Sequence, residues 1–252
     1  MSADDPSIPA AANGSAFPST QWTMIVRAGD AASPAAHAAL ESLCRQYWFP
    51  LYAFVRREGR SHHEAEDCTQ EFLGRLLAGD GIGRARADQG RFRTFLLAGM
   101  RNFLINQWRH ASAEKRGGGR PLLPLEFEDA ERSFNREPAD PALTPERIFD
   151  RTWALGMIER TLAELRKDYE KSGRGVLFAA LSPLVWDDGC AGETLAAPAA
   201  RLAMSTQAFT MALHRLRQRI GQRLRVVVAE TVATPEEVDR ELNHLISALS
   251  SR

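Results

Sequence analysis

Apolar residues in this chain recur at spacings of three and four, and nowhere alternate at every second position over the length of a strand. That period confines the chain to helices packed on helices, because a strand buries one face through a repeat of two. The nearest approach to a strand, Val226-Val227-Val228, sits inside a longer helical pattern. The expected fold is therefore all-α: two helical domains joined by a flexible linker. At 252 residues and 44% hydrophobic content, the chain has material for a real core in one large domain or two small ones.

Punctuation divides the pattern. Residues 1–19 are rich in Pro, Ala, Ser and Asp, a composition that buries too little to offset ordering, and are expected to be a disordered tail. A first domain is expected over 20–113. It holds a short helix through Trp22 and Ile25, a long one from Pro34 to Arg57, and one from Ser61 to Leu77 that opens on the capping pair Ser61 and Glu64. Gly59 and Gly79 close the second and third, and a Gly-rich basic loop over 79–90 leads to a further helix. Residues 114–143 carry three consecutive glycines and several prolines without a sustained period, the mark of a linker. A second domain is expected over 144–229. Thr144 caps its first helix with Pro145 in the first turn and Gly173 stops it; a shorter helix runs from Val176 to Trp186 before a loop at 187–192. In the C-terminal segment 230–252, Thr234 caps a helix whose Val238, Leu242, Leu245, Ile246 and Leu249 form one stripe, expected to pack on its own domain.

Two constellations carry chemistry. Arg91 to His110 holds four arginines, four aromatics, two asparagines and no acid. At helical spacing Asn102, Asn106, Arg109 and His110 share a polar face, while Phe95, Phe103 and Leu104 keep other faces apolar. Arginine for phosphates, amide forks for base edges and rings for unstacked bases suit a nucleic-acid reader; the simpler alternative is a core helix with a solvated basic face. The second constellation, Thr194 to Arg225, reads as helix, tight turn, helix. Ser205 is the natural N-cap of the second helix. Ala208, Phe209, Ala212, Leu213, Leu216 and Ile220 form the buried stripe, leaving Thr206, Gln207, Thr210, His214, Arg215, Arg217 and Arg219 outward. A recognition helix places its first outward residues at base edges and its later arginines at phosphates.

Charge and cysteines set limits. Lys plus Arg equals Asp plus Glu at 32 each, so affinity for a polyanion must come from local sorting, as in Thr194–Ala229, which has six arginines and no acid. Cys44, Cys68 and Cys190 lack zinc-type or disulfide-framework spacing and read as reduced thiols of a cytoplasmic protein. No basic leader with an apolar run and no stretch of about 18 apolar residues occurs, so no membrane partner is expected. His62, His63, Glu64, Glu66 and Asp67 resemble a metal cluster. Adjacent histidines on a helix point about 100° apart, however, and no second cluster completes a site, so neither metal, cofactor nor catalysis is expected.

In order along the chain, HHEAEDCTQEFLGRLL, RFRTFLLAGMRNFLINQWRH, a KRGGG linker start and LAMSTQAFTMALHRLRQRI resemble the extracytoplasmic-function class of sigma-70-type RNA polymerase sigma factors. The YWFPLYAFVRREG opening and the HRLRQR helix resemble the planctomycete-type branch of that class. The resemblance implies a sigma region 2-like helical bundle and a sigma region 4-like helix-turn-helix. It also implies binding to core RNA polymerase through the β′ clamp and β flap, and recognition of promoter DNA, with an anti-sigma factor or a kinase as a further partner. Asp67, Gln70, Glu71 and Phe72 match the helix that docks on the β′ clamp. Arg91, Arg93, Arg101, Asn102, Asn106, Arg109 and His110 fall in the part that opens and reads the −10 element. Ser205, Thr206, Gln207, Thr210, His214, Arg215, Arg217 and Arg219 fall in the part that reads the −35 element as duplex. Two departures bear on −35 reading: Ala197-Pro198-Ala199 in the first helix of the second lobe and Ala203 at the usual turn glycine. Proline is tolerated in a first turn, so that helix is expected to begin near Ala196 or Ala197. The rival function is a helix-turn-helix regulator acting without core polymerase.

Overall fold

The computed structural model describes residues 34–78, 91–111, 128–136, 143–186 and 193–250. The expected N-terminal tail, the helix through Trp22 and Ile25, the 79–90 loop, most of the expected linker and the 187–192 loop lie outside these. Every regular element among the described residues is helical: α1 (Pro34–Arg57), α2 (His62–Leu77), α3 (Phe92–Ala111), α4 (Glu128–Arg136), α5 (Pro145–Lys171), α6 (Gly175–Leu181) with a 3-10 turn at Ser182–Leu184, α7 (Glu193–Arg201), α8 (Thr206–Ala229) and α9 (Pro235–Ser250). The all-α expectation holds. One isolated bridge, Arg91 with Val232, is the strand-like pairing among the described residues.

Local chemistry fixes the helix starts. Ser61 accepts from the Glu64 amide and donates its own amide to the Glu64 carboxylate at 2.9 Å, so two otherwise unpaired donors of α2 are satisfied. The Ser61 amide and hydroxyl in turn hold the exposed Glu64 carboxyl below its usual range. Thr144 caps α5 through the Arg147 amide, with Pro145 at the first position. Ser205 caps α8 through the Ala208 amide at 3.2 Å.

The packing departs from two self-contained lobes. One core joins Leu43, Tyr47 and Phe54 of α1 to Phe72 and Leu73 of α2, Phe92 and Leu96 of α3, and Phe149 and Trp153 of α5. Val227, Val228 and Val232, from the end of α8 and the turn after it, and Val238 and Leu245 of α9 belong to this same core. The last helix therefore packs on the first lobe, not on its own as expected. A second core gathers Leu165 and Tyr169 of α5, Phe178 and Leu181 of α6, Leu195 and Ala199 of α7, and Phe209, Leu213, Leu216 and Ile220 of α8. The 27-residue α5 gives its first half to one core and its second half to the other.

Two further expectations change. Helix α4 lies within the stretch read as linker; its Glu131 takes hydrogen bonds from Arg56 and Tyr52, and its Phe134 lies under the Arg56 guanidinium at 5.0 Å. Pairing to α1, rather than any internal period, holds this short helix. Helix α7 begins at Glu193 rather than near Ala196, which puts Pro198 in its interior. Pro198 has no amide to give the Thr194 carbonyl, yet Leu195 and Ala199 are both about 1% exposed in the second core, and their burial outweighs one lost hydrogen bond.

Candidate nucleic-acid interface

Helix α3 buries Phe92, Leu96, Met100 and Phe103 along one stripe and exposes Arg101, Asn102, Ile105 and Asn106 along the other. The anchoring role expected of Phe103 follows from its ring contact with Phe72 at 5.8 Å, and Gly99 makes that contact close: a Cβ there would stand 3.2 Å from the Phe72 ring. Phe95 and Leu104 are partly buried against the same core. Asn102 and Asn106 share the outward face as expected, one turn apart. Arg109 and His110 continue α3, but their side chains lie outside the described residues. Ile105, 51% exposed between the two asparagines, belongs to this face and was missed because its apolar side chain fits a core pattern equally well.

The three arginines at the start and middle of α3 are engaged within the chain. Arg93 is 8% exposed; its Nε donates to Glu241 at 2.9 Å, its Nη1 donates to Asp150 at 2.6 Å, and it lies over the Trp153 ring at 5.2 Å. Burial alone would lower its pKa, but the Glu241 and Asp150 carboxylates outweigh burial and hold it above the ordinary value. Arg91 pairs with the same Glu241, at 3.1 Å. The Phe92 amide donates to the Thr231 carbonyl at 3.2 Å, so the first turn of α3 is tied to the turn before α9. Trp153 in turn donates to the Tyr47 hydroxyl at 2.9 Å. Arg93 thus sits as a structural cation and not, in this conformation, as a free phosphate contact, a correction to its expected role; Arg91 is half-committed in the same way. Arg101 forms an ion pair with Glu146 in the first turn of α5 and stays half-exposed. Burial raises the Glu146 carboxyl, but a first-turn amide and Arg101 together bring it below its usual range.

On α2, Asp67 and Glu71 are exposed and Gln70 is partly so, but Phe72 faces inward at 8% exposure. Its place in the expected docking face is corrected: Phe72 holds α2 on α3. Glu71 is shared, accepting from Arg75 at 2.5 Å and from Gln107 of α3 at 2.9 Å.

In the second lobe, Ala203 adopts φ +52, the left-handed position that the turn between α7 and α8 requires. Its amide donates to Ala200, and the Met204 amide donates to Ala199. Helix α8 then exposes Gln207, Thr210, His214, Arg215 and Arg219, with Thr206 partly covered. Ser205 spends its hydroxyl oxygen on the cap. Two details differ from expectation. Ala208 is exposed, and Arg217 turns back to donate to the Val185 and Leu184 carbonyls at 3.0 and 3.2 Å, fastening α8 to the end of the 3-10 turn that follows α6. Arg219 lies over the Tyr169 ring at 5.6 Å. Met211, 50% exposed between Thr210 and His214, is an outward apolar group that the helical pattern did not single out.

His62, His63 and Glu66 converge after all: one ligand atom from each lies within 4.8 Å of the others. Although adjacent histidines point about 100° apart, Glu66 stands four residues after His62 and three after His63, within reach of both. No helix among the described residues is long and apolar enough to cross a membrane.

Residues 43–114 match the family described as Sigma-70 region 2, a span that runs from the middle of α1 through α2 and α3. The match supports a sigma-70 family sigma factor, with the binding of RNA polymerase and the recognition of promoters that this role entails. No curated protein and no solved structure matches the chain.

Proposed function

We propose, on the premise of the match over residues 43–114, that the chain is an extracytoplasmic-function type sigma factor of the planctomycete-type branch. It binds core RNA polymerase at the β′ clamp and β flap and directs it to promoters. The observation that carries the reading is the outward pair Asn102 and Asn106 on a helix whose opposite face is locked into the core. Such a helix can present amide forks to bases without moving itself. In this reading Asn102, Ile105 and Asn106, continued by Arg109 and His110, meet the melted −10 element, and Arg101 meets its backbone. Arg91 and Arg93 set the angle of the helix through Glu241.

The docking face on α2 is Asp67, Gln70 and Glu71, polar groups for a contact with another helix. The −35 element is met by Gln207, Thr210 and Met211 at base edges, Met211 offering the apolar contact that a thymine methyl takes. Thr206, His214, Arg215 and Arg219 meet phosphates, while Ser205 and Arg217 position the helix. An anti-sigma factor or kinase remains a further partner, and the reading places the protein in the cytoplasm. A helix-turn-helix regulator acting without polymerase would have no use for the matched span 43–114.

The test is a run-off assay with purified core polymerase on a library of promoter fragments. The proposal expects promoter-specific transcripts only when both core and this protein are present. Duplex binding by the protein alone, with no transcripts on addition of core, would refute it.

A further inference from the structure

We propose that His62, His63 and Glu66, in the first turns of α2, bind a divalent cation of the zinc type, with solvent completing the shell. The three residues present two imidazoles and one carboxylate, a donor set that zinc accepts, and their ligand atoms lie within 4.8 Å of one another. A tetrahedral zinc shell needs ligand atoms about 3.4 Å apart, given bonds of about 2.0–2.1 Å. His63 is exposed and Glu66 partly so, and small side-chain rotations close that difference. The two rings already stand 5.2 Å apart, centre to centre.

A second observation points the same way. The Tyr52 hydroxyl donates to Glu131 at 2.5 Å, so its hydrogen is spent there, and the His62 Nδ1 lies 2.7 Å from the same oxygen. With that oxygen left only to accept, Nδ1 must carry the hydrogen of the ring, and Nε2 carries the lone pair. This is the arrangement in which a metal-binding histidine is held: one nitrogen donates toward an anionic group, fixing tautomer and ring orientation, and the other is free to ligate. The anchor is itself well held, since Arg56 fixes Glu131 with contacts of 2.7 and 3.0 Å. Exposed amides at the start of a helix disfavour a cation, but Glu64, Glu66 and Asp67 cluster at the same end, and the nearby Arg60 and Arg56 are themselves paired, with Glu64 at 3.8 Å and with Glu131 at 2.7 Å. Occupancy would place a cation one residue from Asp67, on the helix assigned above to polymerase docking. The site itself does not depend on that assignment.

Calorimetric titration of the full chain with zinc chloride tests the site. Wild type is expected to take up one equivalent with micromolar or tighter affinity, and His63→Ala and Glu66→Gln are each expected to raise Kd at least tenfold while leaving the helical circular dichroism and the thermal midpoint in place. Wild type that takes up no zinc, or variants that bind as tightly as wild type, would overturn the site.

Discussion

Glu241→Ala removes both oxygens that hold Arg91 and Arg93, at a position only 1% exposed. Taking one partner out of a buried ion pair costs about 3–5 kcal/mol, because the remaining charge is left without compensation. Here two features soften the loss. Arg93 keeps Asp150 at 2.6 Å and the Trp153 ring at 5.2 Å, and Arg91, with 26% of its side chain exposed, can turn toward water. The expected cost is therefore at the lower end, about 3 kcal/mol. For a chain of this length that corresponds to a fall in Tm of roughly 6–12 °C. Urea denaturation followed by circular dichroism measures it, with Asp239→Ala as the control. Asp239 pairs with Arg225 at 2.6 Å, but the two side chains are 67% and 58% exposed, so its loss should cost less than about 1 kcal/mol. Replacing the pair by apolar groups, Arg93→Met with Glu241→Leu, should recover much of the stability, since a buried pair contributes little beyond a well-packed apolar substitute. A Glu241→Ala variant no less stable than the Asp239→Ala control would refute the assignment of α9 as the clamp on α3.

Other expected outcomes test separate parts of the fold. Ala203→Gly should stabilise the chain by about 1 kcal/mol, since φ +52 strains alanine and suits glycine; a thermal melt that shifts downward would contradict this. At Glu131 burial raises the carboxyl, but the Arg56 and Tyr52 hydrogen bonds outweigh it and hold the folded pKa below the usual range. That contribution is complete above the unfolded carboxylate value of about 4.3 and is lost as pH falls through the folded value. The urea midpoint of wild type should therefore drop more between neutral pH and pH of about 3 than that of Glu131→Gln; equal drops would count against the pairing. Burial pushes the Cys44 thiol up to about 12 and the Cys68 thiol up to about 11. Both should stay unreactive toward a thiol reagent at neutral pH in the native chain and react once it is unfolded in guanidinium, so rapid native labelling of either would contradict their burial.

The individual helices were legible because their signals are local. Ser61 with Glu64, Thr144 with Pro145, and Ser205 each satisfy amides within a single turn, and the structure starts α2, α5 and α8 at these caps. What each apolar stripe packs against was not legible, because a period of 3.6 says that a face is buried without saying by what. Thus α5 was assigned to one lobe although it serves two cores, and α9 was expected on its own lobe although it closes the first. One signal was available: Glu241 falls three residues after Val238 and four before Leu245, a carboxylate set in an apolar stripe, and a buried carboxylate requires a cation. Arg93 could not be told from the outward Asn102 by residue type, since either suits a reader of nucleic acid; only the position of Glu241 and Asp150 separates them. The short α4 escaped notice because its hold is a long-range pairing to Arg56 and Tyr52, with Ala130 and Phe134 as its few apolar contacts.

The central claim is that the outward face of α3 reads an opened promoter strand while the rest of the first lobe holds polymerase. Its most direct test is transcription from a promoter selected by the reconstituted holoenzyme, comparing wild type with the double variant Asn102→Ala, Asn106→Ala at saturating protein. The account predicts that the double variant binds core as tightly as wild type in a pull-down but yields at least tenfold fewer transcripts, with promoter melting lost by permanganate footprinting. Undiminished transcription and melting in the variant would contradict it.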